Sequence, residues 1–299
     1  MILNRLFCGG ANTTLPGFTY TGTYTVVNDG DAGWRIKFLT SGTLTLHSKR
    51  NIDVFCVGGG ASGSYGIGGN ATGGTGVGGG GGYTKTSKNI QALAGKSYAI
   101  TIGAGGAAVG GGATVANGKA GGSTSAFGVT AAGGAPVSKS GGNQTYYAGN
   151  GGSGGGGSAN LYYPYKGCNG GSNGGNGYGH ILSNGSFVLE ETIIPTNQDW
   201  GQGQQSSTRE FGEAGGTLYS GGGGGAGGRM VDSGTTYTSN PGSGGSGGGG
   251  KGCAYNANAV AGTAYTGGGG GGGFYSTTTS YRHASGAGGS GIVVIRNHR

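Results

Sequence analysis

Hydrophobic positions in this chain concentrate toward its two ends, and glycine occupies most of what lies between. Residues 18–29, FTYTGTYTVVND, alternate and are rich in Thr, Tyr and Val, the composition of a half-buried strand. DGDAG at 29–33 is a turn signal. WRIKFLTSGTLTLHS at 34–48 then predicts two more strands, with Trp34, Ile36 and Phe38 on one face and Leu44 and Leu46 resuming after Ser41-Gly42. IDVFCVGGG at 52–60 is a short apolar run that enters glycine. Together these are hairpin signals, and they predict a small antiparallel sheet. A strand-like island, KSYAITIGAGG, follows at 96–106, with GGSTSAFGVTAAGG behind it at 121–134. The sequence closes on GSGIVVIRNHR, where Ile292–Ile295 is apolar on both faces and so suits an inner strand rather than a tail. No stretch carries a helical period of useful length.

From Gly58 to Gly291 the chain is glycine runs separated by inserts, including Gly78–Gly82, Gly154–Gly157, Gly221–Gly225, Gly247–Gly250 and Gly267–Gly273. Glycine supplies 85 of 299 residues, about four times its usual share. Such bias is ordinarily a sign of flexible chain. Here charged residues make up only 9%, and there are 17 Tyr, 8 Phe and 2 Trp, unlike a typical disordered segment. Glycine can instead adopt the extended threefold geometry of polyproline II while keeping its N–H, so that neighbouring segments pair backbone to backbone. Seven glycines would then span about 22 Å, a reasonable domain height. The expectation is an all-β chain with almost no α-helix, in which a small antiparallel sheet caps a lattice of packed polyglycine II helices. Its parts are an attachment segment at 1–17, N-terminal strands at 18–57, the lattice with Tyr-rich loops at 58–291, and a closing strand at 292–299.

Charge and cysteine narrow the partners. The net charge is +8, but the basic residues are scattered, with SKR at 48–50 the densest group. A nucleic-acid groove would concentrate them; scattered, they give a weak, salt-sensitive attraction to polyanions. The start, MILNRLFCGGANTTLPG, has neither the apolar core nor the cleavage pattern of a signal peptide, and no run approaches a membrane span. Synthesis in the cytoplasm without insertion into a membrane is the expectation. Cys8, Cys56, Cys168 and Cys253 form no CxxC pair, which disfavours zinc. KGC recurs at 166–168 and 251–253, so a Cys168–Cys253 disulfide is one option; cytoplasmic synthesis favours free thiols.

Catalytic patterns are poor. His47, His180, His283 and His298 are far apart and have no metal-ligand spacing. Glu190 and Glu191 are adjacent beside an apolar stretch and fit a hairpin edge better than a paired-carboxylate site. GKS at 95–97 lacks the earlier glycine of a phosphate loop, since Ile90 stands there, and a strand follows it rather than a helix. The expectation is therefore no enzyme, no cofactor and no metal. The inserts say more. NQTYYAGN (143–150), ANLYYPYKGCN (159–169), RMVDSGTTYTSNP (229–241), CAYNANAVAGTAYT (253–266) and FYSTTTSYRH (274–283) mix Tyr with Asn, Ser and Thr, a combination that binding loops favour. Tyr146, Tyr147, Tyr162, Tyr163 and Tyr165 are the candidate contact residues, with Asn143, Gln144 and Asn160 beside them to read hydroxyl groups. The plainer alternative is that these loops only cover the lattice ends. HILSNGSFVLEETIIPTNQDW (180–200) predicts a projecting hairpin with Asn184-Gly185 at its turn.

DVFCVGGG (53–60), YAITIGAGG (98–106), GGSTSAFG (121–128), STREFGEAGGTLYSGGGGG (207–225) and GGSGIVVIRN (288–297) carry a resemblance. Over about residues 18–299 the sequence resembles the glycine-rich domain proteins encoded by phages and prophages of Gram-positive gut bacteria. In architecture it is similar to the tail-fibre tip adhesins of T-even-like phages, whose glycine helices pack as a sandwich and whose tip loops touch the host receptor. Glycine-rich domains of some animal receptor kinases are similar in helix packing. The resemblance implies a virion tail protein that binds a cell-surface polysaccharide or protein and contacts other tail proteins, without nucleic acid; homo-oligomerisation stays open. The short N-terminus departs from the tip adhesins, having no evident fibre-docking domain. A self-assembling structural protein of the bacterial surface, without receptor specificity, is the alternative.

Overall fold

The computed structural model describes residues 14–28, 33–66, 68–70, 73–112, 115–139, 146–158, 167–178, 182–183, 186–187, 201–232, 235–238, 240–276 and 281–299. Its strands pair antiparallel, and among the described residues the helical content is one 3-10 turn at Glu210–Gly212. Two five-stranded sheets form the base of the molecule. One runs in the order Phe18–Tyr20, Gly42–Leu46, Ser97–Thr101, Thr124–Ala126, Val129–Ala131. The other runs Tyr24–Asn28, Trp34–Phe38, Ile292–Asn297, Arg50–Val57, Thr84–Ala92. Residues from both sheets share one core: Trp34, Ile36, Phe38, Ile52, Val54, Val293 and Ile295 meet Leu44, Leu46, Ile100, Ala126, Val129 and Ala131. The expected single sheet is thus a two-layer sandwich.

Three details of sequence explain this departure. Residues 18–29 divide at Gly22, where the chain crosses from one sheet to the other. A Cβ there would press on the Tyr20 ring and the Ser41 carbonyl, each 2.8 Å away. Thr84–Ala92 has no apolar face to announce it, because it is an outermost strand. Its ladder with Arg50–Val57 breaks near Asp53, where Asn89, at φ 57°, donates its N–H to the Asp53 carboxylate at 3.0 Å. The closing strand lies between Trp34–Phe38 and Arg50–Val57, and all four of Ile292–Ile295 are buried. Val293 and Ile295 enter the sandwich core, while Ile292 and Val294 pack with Phe55, Val57, Phe211 and Tyr219 on the opposite face.

The glycine segments are ordered by backbone hydrogen bonds that change partner at every residue. Along 58–65, the N–H groups of Gly58, Ala61 and Ser64 reach Tyr83, Gly80 and Val77. Those of Gly59, Ser62 and Tyr65 reach Gly122, Lys119 and Ala116, and those of Gly60 and Gly63 reach Gly289 and Gly286. The partner segment therefore repeats every third residue. The same holds at 221–227: Gly221, Gly224 and Gly227 donate to Gly247, Gly250 and Cys253, Gly222 and Gly225 to Gly171 and Cys168, and Gly223 and Ala226 to Gly79 and Gly76. Gly267–Gly273, the longest run, is buried throughout. A methyl group built on Gly270 would collide with the Gly286 carbonyl, and one on Gly223 with the Gly270 carbonyl. Absence of a side chain is what lets these backbones meet, and their polar groups are satisfied without water.

Leu182–Ser183 pairs with Ser186–Phe187 in the register expected of a hairpin turning at 184–185. No Cys168–Cys253 bridge forms. No helix among the described residues is long and apolar enough to cross a membrane.

Candidate functional site

Hydrogen-bond register fixes where each glycine segment ends. Gly58 follows directly on the strand Arg50–Val57, so 58–65 leads away from the sandwich; Gly82 lies just before Thr84–Ala92, so 76–83 leads back. Gly223 and Ala226 bond to Gly79 and Gly76, so 220–227 leads away and ends at the hairpin Arg229–Asp232 with Thr235–Thr238. Gly270 and Gly273 bond to Ala61 and Ser64, so 267–273 also leads away, into Phe274–Ser276. The described residues on either side of 159–166 sit at this same end, since Cys168 N–H donates to the Gly157 carbonyl at 2.9 Å. So do those flanking 179–200, where Gly157 N–H meets the Tyr178 carbonyl and Gly201 N–H meets that of Gly155. The described residues flanking 159–166 and 179–200, with the segments entering 229–241 and 274–283, thus lie at the end remote from the sandwich; Cys253 lies there too, but its insert runs back, and Tyr265 N–H meets the Ser290 side chain beside the closing strand.

At that end a four-stranded sheet runs Arg282–His283, Phe274–Ser276, Gly73–Thr75, Gly68–Asn70. Phe274 is buried beneath it with Ala226 and Cys253. Tyr65, fully buried, donates its hydroxyl to the Gly112 carbonyl at 2.9 Å and meets Tyr275 edge-on at 5.9 Å. Burial pushes the Tyr65 phenol above its ordinary pKa, so it stays a neutral donor. Above this floor the Arg282 guanidinium lies 5.8 Å from the Tyr275 ring centroid. Tyr281, 36% exposed, stacks on His283 at 6.2 Å and meets the Tyr255 ring at 88°. His283 is held between the Asn258 side-chain oxygen at 3.1 Å and the Tyr255 carbonyl at 2.9 Å. Two tyrosines, a histidine and an arginine therefore form a partly exposed patch on a buried floor. Such a patch can offer ring faces and hydrogen-bond donors to a ligand.

The residues named from sequence are placed in part. Tyr146–Tyr147 pairs with Ser138–Lys139, and Tyr147 is half-buried beside Ala148, which packs on Val77 and Val137. Tyr162, Tyr163 and Tyr165 lie outside the described residues, as do Asn143, Gln144 and Asn160. Tyr255, Asn258, Tyr281, Arg282 and His283 were not singled out, although their inserts were. Their grouping depends on a pairing between segments that composition does not encode.

A second polar cluster sits at the sandwich end. Arg296, 2% exposed, reaches Asp53 at 3.1 Å and grips Glu213 with two bonds of 2.9 and 2.7 Å, its guanidinium 4.0 Å from the Phe211 ring centroid. His298 bonds Asp53 at 2.7 Å. Glu210, also buried, takes Arg35 at 2.5 Å, Lys37 at 3.5 Å and the Tyr219 hydroxyl at 2.9 Å. Burial alone would raise the Asp53 carboxyl, but hydrogen bonds from His298, Asn89 and Arg296 hold it below its ordinary pKa. The Arg296 hydrogen bond lowers Glu213 likewise. Every carboxylate here is matched by a cation, which makes the cluster a clamp fastening 205–219 to the sheet. No group of three or more His, Cys, Asp or Glu that would hold a metal occurs among the described residues.

The sequence pattern of a glycine-rich domain matches residues 39–298. The chain belongs to the glycine-rich domain family. The glycine-rich domain so defined takes in the glycine segments, the far-end patch and the clamp except for Arg35 and Lys37, and it begins after the strands Phe18–Tyr20, Tyr24–Asn28 and Trp34–Phe38. STREFGEAGGTLYS, part of the resemblance noted in the sequence, supplies Glu210, Phe211, Glu213 and Tyr219 to the clamp. A search of curated proteins returns no match to the chain.

Proposed function

We propose that this glycine-rich domain protein is an adhesin of a phage tail or fibre tip. In this reading the glycine segments are polyglycine II helices packed as a lattice, and the remote end contacts a receptor on a bacterial cell. The partner repeat of three residues along 58–65 and 221–227 supports the helices, as does the crowding of carbonyls around Gly223 and Gly270. The observation that carries the functional reading is that most of the Tyr-bearing inserts leave the glycine segments at one end, Tyr265 being the exception. A scaffold that sends most of its aromatic, polar loops to one end has the layout of a recognition module. Among the described residues, chemistry has no comparable constellation in its favour.

The test is binding of purified protein to intact cells and to extracted wall polysaccharide at low and high salt. Tyr255→Ala/Tyr281→Ala and Tyr162→Ala/Tyr163→Ala, each shown to be folded, should weaken binding by about 1–4 kcal/mol per critical ring. Unchanged binding by both variants would remove the far end from the interaction. Binding abolished by salt alone would reduce it to charge attraction. A self-assembling structural protein is the second reading, favoured by the uncharged strand edge along Phe18–Asn28. Filaments in micrographs, together with no binding to any bacterial surface, would put it first.

A further inference from the structure

We propose that Asn117 is a site of spontaneous covalent modification, deamidated and isomerised to isoaspartate through attack by the Gly118 backbone nitrogen. The sequence holds six Asn-Gly pairs, at Asn117, Asn150, Asn169, Asn173, Asn176 and Asn184, the last lying outside the described residues. In each pair the following residue has no side chain to keep its nitrogen away from the asparagine side-chain carbonyl. Sequence alone therefore ranks them alike.

The fold separates them. Asn150 Oδ1 accepts the Gln202 N–H at 2.7 Å, and Gly151 N–H is bonded to the Gln202 carbonyl at 2.9 Å. Asn169 Oδ1 accepts the Ser243 N–H at 2.8 Å, and Gly170 N–H goes to the Ser243 carbonyl at 2.9 Å. Asn173 Oδ1 accepts the Ser207 hydroxyl at 2.9 Å and the Thr208 N–H at 3.2 Å, while Gly174 N–H reaches the buried Ser153 hydroxyl at 3.2 Å. Asn176 Oδ1 accepts the Gly203 N–H at 3.0 Å and the Gln205 amide at 2.6 Å, with Gly177 N–H on the Gly201 carbonyl at 2.9 Å. All four side chains are thus held, and the nitrogen that would attack each is tied elsewhere. Asn117 differs on both counts. It is exposed, and neither its side-chain amide nor the Gly118 N–H bonds to a described residue.

The step needs only water. The Gly118 nitrogen forms a bond to Asn117 Cγ, the Cγ–Nδ2 bond breaks, and ammonia leaves carrying the proton that Gly118 gave up. Water then opens the five-membered imide at one of its two carbonyls. One opening gives aspartate; the other gives isoaspartate, whose main chain runs through the former side-chain methylene.

The fold has no room for that methylene. On one side of the pair, Ala116 N–H donates to the Tyr65 carbonyl at 3.0 Å and Tyr65 N–H to the Ala116 carbonyl at 2.8 Å. On the other, Lys119 N–H donates to Ser62 Oγ at 2.8 Å and Ser62 N–H to the Lys119 carbonyl at 2.9 Å. These anchors fix the backbone length between 116 and 119. Gly118 lies between them against the Ser62 carbonyl, 2.4 Å from where a Cβ would stand. A longer main chain breaks one anchor or the other and loosens Tyr65, which is buried under the far-end sheet.

The experiment is incubation of the purified full chain at mildly alkaline pH, folded and in urea. Peptide mapping with isoaspartyl methyltransferase labelling follows each asparagine over time. In the folded chain Asn117 should convert at least tenfold faster than Asn150, Asn169, Asn173 and Asn176, and in urea the rates should draw level. Hydrogen exchange of aged protein should show protection lost at Ser62 and Tyr65. Asn117→Ser, which cannot form the ring, should abolish both the label in that peptide and the loss of protection. A folded-state lead of less than tenfold over any of the four would overturn the proposal. So would an equal lead in urea, which would make neighbouring sequence rather than the fold its cause, and so would full protection at Ser62 and Tyr65 in molecules that carry isoaspartate.

Discussion

At the scale of single residues, glycine here is a packing residue. Gly270 is surrounded by carbonyls, and a side chain at that position meets the Gly286 backbone before it meets anything that can move aside. Gly270→Val should therefore destabilise the fold by several kcal/mol, through overpacking and lost backbone pairing. Gly215 is the matched control: it is exposed, and nothing lies within 4 Å of where its Cβ would stand. Gly215→Ala should stay within about 0.5 kcal/mol of wild type. Urea denaturation of the two variants checks this, and equal losses would contradict the division. In the sequence the two glycines look alike; what separates them is the distance to a neighbouring backbone.

Single strands and loops show how unevenly the fold was legible. Trp34–Phe38, Gly42–Leu46, Arg50–Val57, Ser97–Thr101 and Ile292–Asn297 could be read because alternation or an unbroken apolar run follows directly from burial. Thr84–Ala92 could not, since an edge strand needs no apolar face. Residues 205–219 were equally opaque: Glu210 and Glu213 look like surface charges until Arg35 and Arg296 are brought beside them. The far-end patch was half legible, through the composition of its inserts but not through the pairing of Tyr281 with Tyr255. The clamp makes a prediction of its own. Asp53 and Glu213 are both held below their ordinary pKa, so their contribution is complete at neutral pH. It is lost as pH falls from the ordinary carboxylate range, about 4, through the lowered folded values. The melting temperature should drop between about pH 5 and 3, and less steeply in Glu213→Gln. Asp53→Asn, which leaves Glu213 as the anionic partner of Arg296 and takes the carboxylate away from His298, should cost about 1–3 kcal/mol at pH 7. Melting curves of the three proteins across this range provide the check.

For the whole molecule, order in the glycine segments is collective. Each hydrogen bond along 221–227 ends on a different neighbour, so no segment can leave without unpairing several others. Hydrogen exchange across Gly221–Gly225 and Gly267–Gly273 should show strong protection that is lost in one step with that of the sandwich. Exchange at unfolded rates in either run would overturn the packed arrangement. The position of Ile292–Asn297 has a consequence of another kind, one concerning time. This strand sits between two partners that the ribosome makes more than two hundred residues earlier, and it also carries Arg296 to the clamp. Until it emerges, Trp34–Phe38 and Arg50–Val57 face an empty slot with their edges bare, and the residues between them and the strand must wait, exposed to chaperones and proteases. Messages cut short anywhere before that strand would yield no partial domain, only material for degradation.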